Sequence, residues 1–173
     1  MNAWLKDMRA NPVFRFTIIG AAVALLLDQA TKLWVLHVIK LQDRFAGHWE
    51  LSPIFDLTYV ENRGVSFGLF AGGMTSRVLL SLLAIVVSAF IIHWAGRLDR
   101  KAAAWGAGFI VGGALGNAID RIFYGFVVDF LNFSDIYFPW QFNFADVAIN
   151  IGVALLAYDA FFVAPKQESK NRS

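Results

Sequence analysis

The residues best suited to chemistry in this sequence are carboxylates in apolar surroundings. Asp129 lies within Val127-Val128-Asp129-Phe130-Leu131, and Asp146 closes the run Phe142-Asn143-Phe144-Ala145-Asp146. Burial in such a setting penalises the charged carboxylate and raises its pKa. Two carboxyls held close together cannot both ionise easily, so they share a proton, with one apparent pKa raised and the other lowered. The ionised member can draw a proton from water while the protonated member donates to a carbonyl oxygen. That chemistry needs no metal, thiol or cofactor. The chain has no cysteine, and His37, His48 and His93 have no metal-ligand spacing. Nor does it carry an H-E-x-x-H, a G-x-S-x-G or a phosphate loop. No metal and no cofactor are expected.

Each polar residue also has a structural reading. Asp28 and Lys32 are four apart and share a helical face, as a structural ion pair would. Asn143 fits a helix N-cap with Asp146 in the first turn, where the helix dipole favours an acid. Taken alone, that is the better account of Asp146. Asn117, Asp120 and Arg121 can mark a helix end at an interface, and Asn62-Arg63-Gly64 reads as a turn. Gly108, Gly112 and Gly116, with Gly113 beside them, form a stripe that lets a neighbouring helix approach closely.

The elements that must position these residues are membrane spans. The sequence is 58% hydrophobic and 16% charged, against about 25% charged in a soluble domain. A chain of 173 residues could not bury so many apolar side chains in a water-soluble core. The net charge of +2 is too small to argue for nucleic acid. Stretches of about 20 mainly apolar residues can span a bilayer. They predict helices over about 14–39, 76–96, 102–121 and 144–164. The first is long for a cleavable signal peptide, and no small-residue cleavage site precedes Asp28.

Residues 1–173 are therefore expected to form a single membrane-embedded domain of all-α class. Lys6, Arg9 and Arg15, then Arg97, Arg100 and Lys101, then Lys166, Lys170 and Arg172 fall in three segments on one side. By the positive-inside rule that side is the cytoplasm, so both termini are expected there. The 40–77 connection also carries Lys40, Arg44, Arg63 and Arg77, so the bias is clear without being absolute. This outward connection includes the β-rich stretch Ile54-Phe55-Asp56-Leu57-Thr58-Tyr59-Val60, which predicts a small sheet within about 41–70, between helices 1 and 2.

On this topology Asp28, Lys32, Asn117, Asp120, Arg121, Asp129, Asn143 and Asp146 all collect near the outer face, with Asp129 in a loop. Intramembrane charges are costly and face a protein interior or a water-filled cavity. Their convergence at one depth favours a carboxylate-pair enzyme of the aspartic-peptidase type. A small proton-coupled transporter is the first alternative, but its acids should cross the membrane. A non-catalytic partner-binding module is the second, and it leaves the convergence unexplained.

Five segments carry a resemblance. They are Asp28-Gln29-Ala30-Thr31-Lys32, Asn62-Arg63-Gly64-Val65-Ser66-Phe67-Gly68, Gly112-Gly113-Ala114-Leu115-Gly116-Asn117-Ala118-Ile119-Asp120-Arg121, Val127-Val128-Asp129-Phe130 and Phe142-Asn143-Phe144-Ala145-Asp146. Each is weak alone, but the ordered set is specific. In that order the chain resembles the bacterial lipoprotein signal peptidases, also called signal peptidase II. The resemblance implies an aspartic endopeptidase of the inner membrane with its site near the periplasmic face. Its substrate would be a prolipoprotein bearing diacylglycerol on the lipobox Cys, cut just before that Cys. The family's catalytic pair maps onto Asp129 and Asp146. Asn62, Gly64, Asn117, Asp120, Arg121 and Asn143 would hold substrate or orient the pair, and Asp28 and Lys32 would support the site. The resemblance further implies inhibition by the cyclic peptide globomycin. A monomer in contact with membrane lipid is expected.

Overall fold

The computed structural model describes residues 11–64 and 73–163. Lys6, Arg9, the 65–70 end of the expected sheet region and the basic C-terminal residues lie outside them. Among the described residues, four helices are long and apolar enough to cross a bilayer. α1 spans Phe14–Leu33 and continues as a π-helical turn, Trp34–Ile39. α2 spans Gly73–Ala95 and α3 spans Lys101–Phe123. α4 spans Phe144–Tyr158 and runs on through a π turn, Asp159–Val163.

The bundle is polar and small inside, apolar and large outside. Leu26, Val86, Phe90 and Phe161 are all well exposed, as expected of side chains that face lipid. The centre is α3, packed against the other three helices. Its buried residues are mostly Ala and Gly, because backbones in lipid associate by close approach and not by hydrophobic exclusion. The glycine stripe divides its faces between two partners. A Cβ on Gly108 or Gly112 would strike the α1 backbone at Thr17 and Ala21, whereas one on Gly113 would strike Ala145 of α4. Gly112→Val should therefore destabilise the fold by about 1–3 kcal/mol through overpacking. Thermal unfolding in detergent reads this directly, and an unchanged midpoint would contradict the close approach.

At one end of the bundle the chain forms a four-stranded antiparallel sheet in the order β1-β2-β3-β4. β1 (His48–Ser52) and β2 (Phe55–Asn62) come from the α1–α2 connection. β3 (Val127–Phe133) and β4 (Phe138–Phe142) come from the α3–α4 connection. The sheet expected between the first two helices is thus only half of the observed one, and Asp129 lies on a strand instead of in a loop. β3 is a short, mainly apolar segment interrupted by Asp129 and Asn132, and periodicity alone does not identify it as a strand. β4 carries Pro139, which argues against a central strand and suits the edge position it holds. The Val60↔Asp129 and Asn62↔Val127 pairings join the two connections. Leu57, Val128 and Phe130 pack on Val35, Leu36, Ile39 and Leu41, seating the sheet on the end of α1.

The opposite end is closed separately. Asn11 Nδ2 donates to the carbonyls of Gly96 and Leu98 at 3.1 and 2.8 Å, and Arg100 Nε meets Asp159 Oδ2 at 2.8 Å.

Candidate active site

Asp146 owes its position to local helix chemistry. Asn143 is the N-cap of α4 and forms a reciprocal capping box with Asp146. Asn143 Oδ1 accepts the Asp146 N–H at 3.1 Å, and the Asn143 N–H donates to Asp146 Oδ2 at 3.2 Å. This satisfies two otherwise orphaned donors at the helix start. Capping and site geometry are therefore the same interaction. The other carboxylate oxygen, Asp146 Oδ1, accepts from Asn117 Nδ2 at 3.0 Å.

Asp129 is 2% exposed and sits between two amides. Asn143 Nδ2 donates to its Oδ1 at 2.7 Å, and Asn62 Nδ2 donates to its Oδ2 at 3.0 Å. Asn62 is turned this way by Gly64, whose N–H holds Asn62 Oδ1 at 3.2 Å. Burial pushes the Asp129 carboxyl up to about 7. The nearby charge of Asp146 adds to the rise, and the hydrogen bonds from Asn62 and Asn143 and the charge of Lys32 oppose it.

The amides are oriented in turn by a charge behind them. Asn117 Oδ1 accepts from Lys32 Nζ at 3.0 Å and from Asn143 Nδ2 at 3.2 Å, leaving the Asn117 amide nitrogen to face Asp146. Lys32 is 2% exposed and reaches both Asp28 Oδ2 and Asp120 Oδ2 at 2.8 Å. Arg121 donates to the Asn117 carbonyl at 3.4 Å, and its charge interacts with Asp146, Asp129 and Asp120. It also heads an apolar groove of about 300 Å³ lined by Leu80, Leu83, Val87, Ile110 and Ile149.

All ten residues singled out from the sequence thus gather at the sheet-bearing end. A cavity of about 580 Å³ opens there, with Asn62, Asp129 and Asp146 in its wall. Among its other lining residues are Phe138, Trp140, Gln141, Phe142 and Asn150, to which the sequence assigns no role. The aromatic run Phe138-Pro139-Trp140-Gln141-Phe142 was the available signal. Gln29 was also missed as a contributor, although it stands next to Asp28.

Two carboxyls in the wall of one cavity, at the end of a membrane bundle, are compatible with more than one class of membrane protein. The comparisons specify which. A family model described as Signal peptidase (SPase) II matches residues 20–162. The lipoprotein signal peptidase of Rhodopseudomonas palustris is 43% identical over 157 residues, covering 87% of this chain and 94% of that one. That of Caulobacter vibrioides is 46% identical, covering 82% and 83%, and that of Synechocystis is 43% identical, covering 90% and 92%. A bacterial membrane enzyme solved by the in meso method at 1.9 Å superposes with a TM-score of 0.69 at 25% identity, over 85% of this chain and 93% of that one. The chain belongs to the signal peptidase II family.

Proposed function

We propose that this protein removes the signal peptide from diacylglyceryl-modified prolipoproteins, cutting before the lipidated Cys with an Asp129/Asp146 dyad. Family membership supports prolipoprotein processing. The observation that carries the dyad is the cavity of about 580 Å³ whose wall holds both carboxyls.

In this reading the pair carries one proton near neutral pH. The ionised carboxyl takes a proton from water as the water oxygen attacks the scissile carbonyl carbon. The protonated carboxyl gives its proton to the carbonyl oxygen, forming a neutral gem-diol. Collapse breaks the C–N bond, and a proton returned to the amine nitrogen releases the new N-terminus. Asn62, Asn117 and Asn143 orient the two carboxyls, Gly64 holds Asn62, Asp28 and Lys32 support Asn117, and Asp120 braces β3. Arg121 grips a substrate backbone carbonyl at the head of the apolar groove. A lipidated substrate cannot leave the bilayer, which suits a site at the end of a membrane bundle.

The chain is an inner-membrane protein in this reading, with both ends cytoplasmic and the site at the periplasmic face. Arg97, Arg100 and Lys101 in the α2–α3 connection support that orientation. It works as a monomer among membrane lipids and is inhibited by globomycin. The proton-transporter reading is disfavoured because Asp28, Asp120, Asp129 and Asp146 gather at one end of the bundle instead of being spread across it.

The test is a cleavage assay on the purified protein. Lipidated prolipoprotein should be cut just before the modified Cys, the unlipidated form should not, and globomycin should stop the reaction. Proton flux in proteoliposomes without any cleavage would overturn the reading.

A further inference from the structure

The two proposed catalytic aspartates sit on different elements, β3 and α4, and each is preceded by a backbone N–H held by a buried acid. Asp120 Oδ2 accepts the N–H of Val128 at 3.1 Å, one residue before Asp129. Asp28 Oδ1 accepts the N–H of Ala145 at 3.0 Å, one residue before Asp146. Asp28 and Asp120 are both fully buried. Unbridged, two anions in such a site would splay apart.

Two donors bridge them. Lys32 Nζ spans Asp28 Oδ2 and Asp120 Oδ2. Gln29 Nε2 spans Asp28 Oδ2 and Asp120 Oδ1, each at 3.1 Å, and also reaches the Gly116 carbonyl at 3.3 Å. The Lys32 bridge supplies charge and the Gln29 bridge supplies a second, directional tie. Gly116 admits this packing, because a Cβ there would collide with Asp28 Oδ2.

We infer that Gln29 is a positioning residue that, together with Lys32, ties Asp28 to Asp120 and so sets the separation of the Asp129 and Asp146 carboxyls. The inference rests on the dyad reading above. The charged groups around the brace are Asp28 and Lys32 from α1, Asp120 and Arg121 from α3, Asp146 from α4 and Asp129 from β3. Losing the Gln29 tie lets the two elements drift apart. A displacement near 1 Å at reacting groups can cost about a hundredfold in rate.

The test uses full-length Gln29→Leu, which removes both donors, and Gln29→Asn, which keeps an amide too short to span both acids. Lipidated prolipoprotein cleavage is followed against pH, with thermal unfolding in detergent as a fold control. Expected is a kcat loss of roughly 10–100-fold with KM within about twofold. The alkaline limb should also move to lower pH, because a more distant Asp146 raises Asp129 less. Parent-like kcat and limbs in either folded variant overturn the brace. So does a loss confined to KM, or a fall in amplitude with unmoved limbs. If Gln29→Leu fails to fold, Gln29→Asn carries the same readouts, and failure of both to fold makes Gln29 a structural residue and overturns the inference. Failure of the dyad is separately visible. Activity in Asp129→Asn or Asp146→Asn sinks the dyad, whereas inactivity of both beside a normal Gln29 variant sinks the brace alone.

Discussion

Asp129→Asn and Asp146→Asn should each lower kcat for a lipidated prolipoprotein by at least roughly 10²–10⁴-fold, the range supplied by positioned acid–base groups. An amide can neither take a proton from water nor give one to a carbonyl oxygen, so either substitution removes the chemistry. The fold should survive. At Asp129 an Asn loses one of two hydrogen bonds, since its amide nitrogen faces a donor on Asn62 or Asn143. It also removes a buried carboxyl. That carboxyl titrates at about 7 in the fold against an ordinary 3.8. Between those values the folded state binds more protons than the unfolded one. This group's contribution to the parent's stability is therefore lost as pH rises from about 4 to 7, and the Asn variant lacks that contribution. Unfolding midpoints measured at pH 5 and pH 8 should fall less for Asp129→Asn than for the parent. Parent activity should also decline above about pH 7 as the shared proton is lost. Full turnover by either purified variant would exclude the dyad.

What the sequence made legible follows from the range of the interactions involved. The spans were readable because twenty apolar residues have few other fates. Asn143 and Asp146 were readable as a cap because N-cap chemistry is local, confined to residues 143–146. The motif order supplied the rest of the ten-residue set. Sequence distance hid the pairings. Nothing near Asp129 announces that β3 will pair with β2, whose Val60 lies opposite it. The strand exists because the α1–α2 connection offers an edge, and a single-segment reading of Val127–Phe133 sees only a mainly apolar segment. Gln29 was hidden differently. A polar residue beside Asp28 on an otherwise apolar helix has no assignable role until α3 brings Asp120 within reach. The same distance effect turned the glycine stripe from one packing face into two, with Gly112 against α1 and Gly113 against α4. On sequence alone, capping and catalysis are competing accounts of Asp146. In the structure the cap is what aims the carboxylate.

Lys32→Met should be the most destabilising single substitution in the site. Lys32 is 2% exposed and is the cation between two fully buried acids, at 2.8 Å from each. Removing one partner from such a cluster leaves uncompensated buried charge and costs about 3–5 kcal/mol. Met fills similar volume, so the loss is electrostatic and not a cavity effect. A fall of roughly 10 °C in the unfolding midpoint is expected for a chain of this size. Removing one of the two stranded charges should recover part of it, so Lys32→Met combined with Asp120→Asn should melt above Lys32→Met alone. A midpoint unchanged from the parent would mean that the three charges are not mutually dependent. Activity should not recover with the double substitution. Lys32 Nζ also fixes the Asn117 amide oxygen at 3.0 Å, which is what turns the Asn117 nitrogen toward Asp146. Without that anchor the amide can flip and set its oxygen against a carboxylate oxygen. The same lysine thus links stability to the aim of the site, and the double variant separates the two effects: partial rescue of folding, none of turnover.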